Sequence, residues 1–91
     1  MKNALTRISI PSSVVWTITN NELILMDQQS EMVYGTDEIG VVVWRGIASG
    51  KTQSEIVDSI AVDYDVDREE VEKDIAELVD QLLQRNLLTS T

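Results

Sequence analysis

The sequence predicts an α+β fold in which a three-stranded antiparallel sheet is followed by three helices. Three observations predict it. Two β-branched, apolar runs are joined by Asn20-Asn21, and three later stretches carry apolar residues at helical spacing behind capping residues. The composition, 43% hydrophobic but 4% aromatic, leaves Leu, Ile and Val to fill one core. At 91 residues the chain has the length of a single domain, residues 1–91, with the ends 1–12 and 89–91 expected to be flexible.

The elements follow in order. Val14-Val15-Trp16-Thr17-Ile18-Thr19 and Glu22-Leu23-Ile24-Leu25-Met26-Asp27 read as a hairpin, because Asn tolerates the positive φ that a two-residue turn requires. The polar turn Gln28-Gln29-Ser30-Glu31 leads to a short strand, Met32-Val33-Tyr34, stopped by Gly35 and lying at the edge of the sheet. Asp37 or Thr36 can cap a first helix, running to about Ser49 and stopped by Gly50. Its Val41-Val42-Val43 run also suits a strand, so packing decides its state.

Thr52-Gln53-Ser54-Glu55 is a capping box, and Ile56, Val57, Ile60 and Ala61 give the second helix its apolar stripe until Tyr64-Asp65-Val66 breaks it. Asp67 opens the third helix, where Glu69, Glu70 and Glu72 suit the positive end of the helix dipole. Val71, Ile75, Leu78, Val79, Leu82 and Leu83 face inward, Asn86 is placed to stop the helix, and Leu87-Leu88 are expected to pack back on the core. Trp16 and Trp44 are both expected in the core. Strands followed by helices in this order make a winged helix-turn-helix-like arrangement.

The chemistry open to the chain is narrow. It has no Cys and no His, which removes thiolate nucleophiles, imidazole bases and the usual zinc ligands, so no catalytic residue, metal site or cofactor is expected. A net charge of −9 opposes binding to nucleic acid and to anionic membranes, and neither helix two nor helix three offers the basic face a DNA reader needs. No apolar run of signal or membrane-spanning length is present, and a cytoplasmic protein is the expectation.

Two look-alike motifs have plainer readings. Gly46-Ile47-Ala48-Ser49-Gly50-Lys51-Thr52 is one residue short of a phosphate-binding loop and lies between two helical patterns, where a helix stop and a capping box account for it. Asp63, Asp65 and Asp67 imitate calcium-loop spacing, but Arg68 stands where such a loop turns on Gly. The acidic run from Asp67 to Asp80 reads as a solvated helix face.

Taken in order, Tyr34-Gly35-Thr36-Asp37, Val41-Val42-Val43-Trp44, Gly50-Lys51-Thr52, Glu55-Ile56-Val57, Tyr64-Asp65-Val66-Asp67, Glu70-Val71, Asp74-Ile75 and Arg85-Asn86-Leu87-Leu88 resemble the PqqD-like family. These small domains hold the leader segment of a ribosomally made precursor peptide while partner enzymes modify it. The resemblance implies a non-catalytic adaptor: the leader adds itself as a strand beside the short third strand, and its side chains enter a groove bounded by the third helix. Carried onto this sequence, the implied peptide-binding residues are Glu31, Met32, Val33, Tyr34 and Gly35 on the edge, and Asp74, Leu78, Gln81 and Arg85 on the helix. Asp74 matches the family's Asp-hydrophobe pair, which leaves a structural role open beside a groove role, and Leu78 is equally a core candidate.

The stretch from Glu31 to Gly50 looks closer to the lasso-peptide group, which works with a leader peptidase and a cyclase, than to the pyrroloquinoline-quinone synthesis protein, which works with a radical enzyme. An acidic interaction or dimerisation module with the same fold is the rival reading. The free edge can also pair with a second copy of itself, giving a homodimer.

Overall fold

In the computed structural model, which describes residues 8–90, the strands are β1 (Ile8–Ser9), β2 (Val14–Thr19), β3 (Glu22–Asp27), β4 (Val33–Thr36) and β5 (Thr89–Ser90). The helices α1 (Glu38–Ala48), α2 (Gln53–Asp63) and α3 (Arg68–Gln84) lie between β4 and β5. The main sheet has the order β2-β3-β4, all antiparallel, so the α+β arrangement expected from the sequence is the one found. Asn20 and Asn21 close the β2–β3 hairpin at φ 53° and 61°, the paired positive values of a tight hairpin turn.

Each helix is set by its ends. Asp37 caps α1 by accepting from the Gly40 N–H at 3.3 Å. Thr52 and Glu55 exchange both bonds of the capping box, with the Thr52 N–H donating to Glu55 at 2.8 Å and the Glu55 N–H donating to the Thr52 hydroxyl at 3.1 Å. Hydrogen bonding of the Glu55 carboxylate by Thr52, through its backbone N–H first and then its hydroxyl, lowers the pKa of Glu55. α3 ends at Asn86, φ 60°, where the Leu87 N–H reaches back to the Leu82 carbonyl at 2.9 Å.

The core lies between the inner face of the sheet and the helices. Leu23 and Leu25 of β3 meet Val43 and Trp44 of α1, Val57 of α2 and Ile75 of α3, all at most 2% exposed. Leu87 and Leu88 do pack back, at 0% and 1%. The Val41–Val43 run is helical because the α1 face it forms is buried by the sheet and α2, which overrides its β propensity. The Trp44 ring is fully covered, and its indole N–H has no partner among the described residues.

Three expectations need correction. Trp16 is not core: it is 43% exposed, because β2 is an edge strand and no helix covers its inner face completely. Its ring meets Trp44 edge-on with centroids 6.1 Å apart. The third strand is displaced toward the C-terminus, with Glu31 at φ 60° in the turn and Gly35 and Thr36 inside the strand. The ends expected to be flexible are partly tied, since Ile8↔Ser90 and Ser9↔Thr89 pair antiparallel. The rest of that expectation, Met1–Arg7 and Thr91, falls outside the described residues.

Candidate functional site

The turn before β4 determines what the edge of the sheet presents. Asp27, 6% exposed at the end of β3, accepts from the Gln29 N–H at 3.1 Å and from the Ser30 hydroxyl at 2.9 Å. Its own N–H donates to the Met32 carbonyl at 3.0 Å, and the Glu31 N–H returns to the Asp27 carbonyl at 2.7 Å. This network uses four residues to reverse the chain, which is why the strand starts at Val33 and not at Glu31.

The register then fixes which backbone groups are free. β3 and β4 pair as Leu23↔Thr36, Ile24↔Gly35, Leu25↔Tyr34 and Met26↔Val33. In an antiparallel ladder, hydrogen-bonded and non-bonded pairs alternate. Since Asp27 bonds Met32, the bonded partners in β4 are Tyr34 and Thr36. Val33 and Gly35 therefore turn their N–H and C=O groups away from β3, and β4 has no strand on that side among the described residues.

Side chains alternate in the same way. Tyr34 and Thr36 point to the inner face, and Val33 lies on the outer face at 62% exposed. Tyr34 is half-buried against the core; its hydroxyl lies 3.2 Å from Gln81 Oε1, and the Arg85 guanidinium carbon sits 5.2 Å from the ring centroid. These long side chains, from α3 and its C-terminal end, bridge to the edge strand. Leu78, half-buried and packed on the core, lies on the same α3 face one turn below Gln81.

The nine candidate residues thus separate. Tyr34, Gln81 and Arg85 are brought into direct contact, Leu78 lies beside them, and Val33 and Gly35 supply the open backbone. Met32 is 49% exposed but its carbonyl faces β3, and Glu31 lies in the turn. Asp74 is exposed, its carboxylate joins no hydrogen bond among the described residues, and it stands roughly 10 Å along the helix from Gln81. Asp27, which places the edge, was not among the sequence candidates; the signal for it was an Asp two residues before Gln29 and three before Ser30, the spacing of a side-chain-capped turn.

A cavity of about 540 Å³ lies elsewhere. It opens between β1, Trp16 and the α1–α2 junction, and none of the nine candidates lines it. Its size does not make it the site, because Tyr34, Gln81 and Arg85 meet at β4 and α3 instead.

Residues 22–88, from the start of β3 through Leu88, match the family model described as coenzyme PQQ synthesis protein D (PqqD). The chain belongs to the PqqD family. Among solved structures, this PqqD-family chain is similar to TbiB1 in complex with the TbiA(beta) leader peptide, at 34% identity and a TM-score of 0.84, over 88% of this chain and 93% of that one. It also has the fold of a lasso peptide synthetase B1 complexed with the leader peptide, at 20% identity and a TM-score of 0.81, over 91% and 98% of the two chains. A search of curated proteins finds no match.

Proposed function

We propose that this PqqD-family domain is a non-catalytic adaptor that binds the leader segment of a ribosomally synthesised precursor peptide by strand addition and presents it to processing enzymes, of the lasso-peptide type. The observation that carries the reading is the unpaired edge of β4, with the backbone groups of Val33 and Gly35 facing outward beside the Tyr34–Gln81–Arg85 cluster. An incoming strand gains main-chain hydrogen bonds from those two residues, and its inner side chains enter the groove against Tyr34 and Leu78. The 34% identity to a protein solved with a leader peptide supports the same occupant here. The absence of Cys and His from the sequence fits a role in which the chemistry belongs to partners, a leader peptidase and a cyclase.

Holding the leader raises the local concentration of the attached core peptide at an enzyme bound to the same assembly. No helix among the described residues is long and apolar enough to cross a membrane, and the reading places the domain in the cytoplasm with its precursor.

The test is fluorescence polarisation with a labelled leader peptide from the precursor encoded beside this gene, using wild type and Val33→Pro. The Val33 N–H faces away from β3, so proline there leaves the sheet's own ladder intact while removing a donor and obstructing the new strand. Saturable binding by wild type and a loss of about tenfold or more in the variant, with unchanged circular dichroism, is expected. Equal binding by both proteins would rule out strand addition on β4.

A further inference from the structure

Three of the four glycines have a reason inside the fold. A Cβ on Gly40 would collide with the Thr36 side chain, one on Gly46 would lie 2.6 Å from Ile56 Cγ1, and Gly50 has φ +84°. Gly35 has none of these reasons. It sits inside β4 without a positive φ, and a Cβ there would lie 3.8 Å from Ile24 Cδ1 and from the Leu23 carbonyl oxygen, ordinary contact distances. A glycine inside a strand weakens it, and often marks a bulge, a tight bend or a place where a ligand or another backbone approaches closely.

The surroundings say what approaches. On the outer face, Val15, Met26 and Val33 form one row across the three strands, and Thr17, Ile24 and Gly35 form the next. Val15, Ile24, Met26 and Val33 are 39%, 40%, 39% and 62% exposed, so the face is apolar and uncovered. The second row ends at Gly35, so no side chain of β4 stands between Ile24 and the free edge. A side chain directly opposite Gly35 on an added strand would stand about 4.5–5.5 Å from the position of the missing Cβ, and Ile24 Cδ1 lies 3.8 Å from that position on the other side.

We propose that Gly35 is a specificity-determining position: its notch, floored by the glycine backbone and walled by Ile24 and Val33, accepts one large apolar side chain, β-branched or aromatic, from the peptide strand paired to β4. That side chain points away from α3, so the peptide is read on both faces of the sheet. The inference rests on the strand-addition reading, and it names a feature of the peptide that the groove beside α3 does not select. Its occupant is the added strand itself, because the notch is continuous with the free backbone groups of Val33 and Gly35.

The test fills the notch. Gly35→Val and Gly35→Ala are measured by fluorescence polarisation against the leader encoded beside this gene and against that leader with each position changed singly to Gly. Thermal melts and circular dichroism check folding; valine suits an edge strand, so Gly35→Val is expected to melt no lower than wild type. The expected result is a weakening of about tenfold for the native leader on Gly35→Val, less on Gly35→Ala. For one leader position only, the change to Gly weakens binding to wild type by about threefold and restores binding to Gly35→Val.

Equal affinity of Gly35→Val and wild type for every peptide, or a uniform loss with no position that restores binding, would overturn the notch while leaving strand addition standing. Unimpaired binding by Val33→Pro would overturn both. A peptide-free dimer that Gly35→Val or Val33→Pro abolishes would instead assign the notch to a second copy of the chain and overturn the proposal.

Discussion

Asp27 shows how one residue positions a site it does not enter. Its carboxylate accepts from the Gln29 N–H and the Ser30 hydroxyl, and these bonds, in that order of effect, hold its pKa below the ordinary aspartate value against the opposing cost of burial. A depressed folded pKa stabilises the native state above the unfolded value of about 4, and that contribution is lost as the pH falls below 4 through the folded pKa. Protonation loosens the turn that starts β4. Asp27→Asn keeps an acceptor oxygen without the charge, so the difference in urea midpoint between pH 7 and pH 3 is expected to be smaller in the variant than in wild type. Its role escaped the sequence reading because a polar residue ending a strand looks like ordinary turn chemistry until its burial is known.

At the scale of elements, the helices are held to one another by close contacts that the apolar pattern only outlines. Gly46 lets α1 approach Ile56 of α2, which is 2% exposed and has little room to shift. Gly46→Ala is expected to destabilise the domain by about 1–3 kcal/mol through overpacking, read as a lower denaturation midpoint, although alanine is the better helix former. Between α2 and α3, Arg68 bonds Asp58 at 2.6 Å and Glu72 at 2.7 Å, with all three side chains well exposed. Solvent and salt screen such pairs, so Arg68→Ala should cost less than about 1 kcal/mol in the same measurement. The sequence places Gly46 inside the first helix without a reason for a glycine there; the contact that explains it spans two helices.

For the whole molecule, charge and edge geometry act together. The net charge of −9 disfavours polyanions, so no mobility shift with random duplex DNA is expected at low salt, despite the winged-helix arrangement. α3 carries exposed Asp74, Glu77 and Asp80 alongside the groove, with Arg85 at its far end. Leader affinity is therefore expected to fall as salt rises from low to physiological strength if the peptide places Lys or Arg along α3. Titrations at two salt concentrations check this, and an unchanged affinity would mean that the main-chain ladder and apolar contacts dominate.

The sequence by itself determined the element order, because apolar periodicity, the Asn20-Asn21 turn and the caps at Asp37, Thr52 and Asp67 are local signals that survive in the fold. Its resemblance to the PqqD-like family is what pointed to β4 and α3. Tertiary structure decided what no local signal holds: that Trp16 is left uncovered, that the edge runs from Val33 to Thr36, and that Tyr34 meets Gln81 and Arg85 across 47 residues of chain or more. Which backbone groups remain free is likewise a matter of register. A shift of one residue exchanges every inward group of β4 for an outward one, and here that register follows on a turn closed by Asp27 through its backbone and its carboxylate.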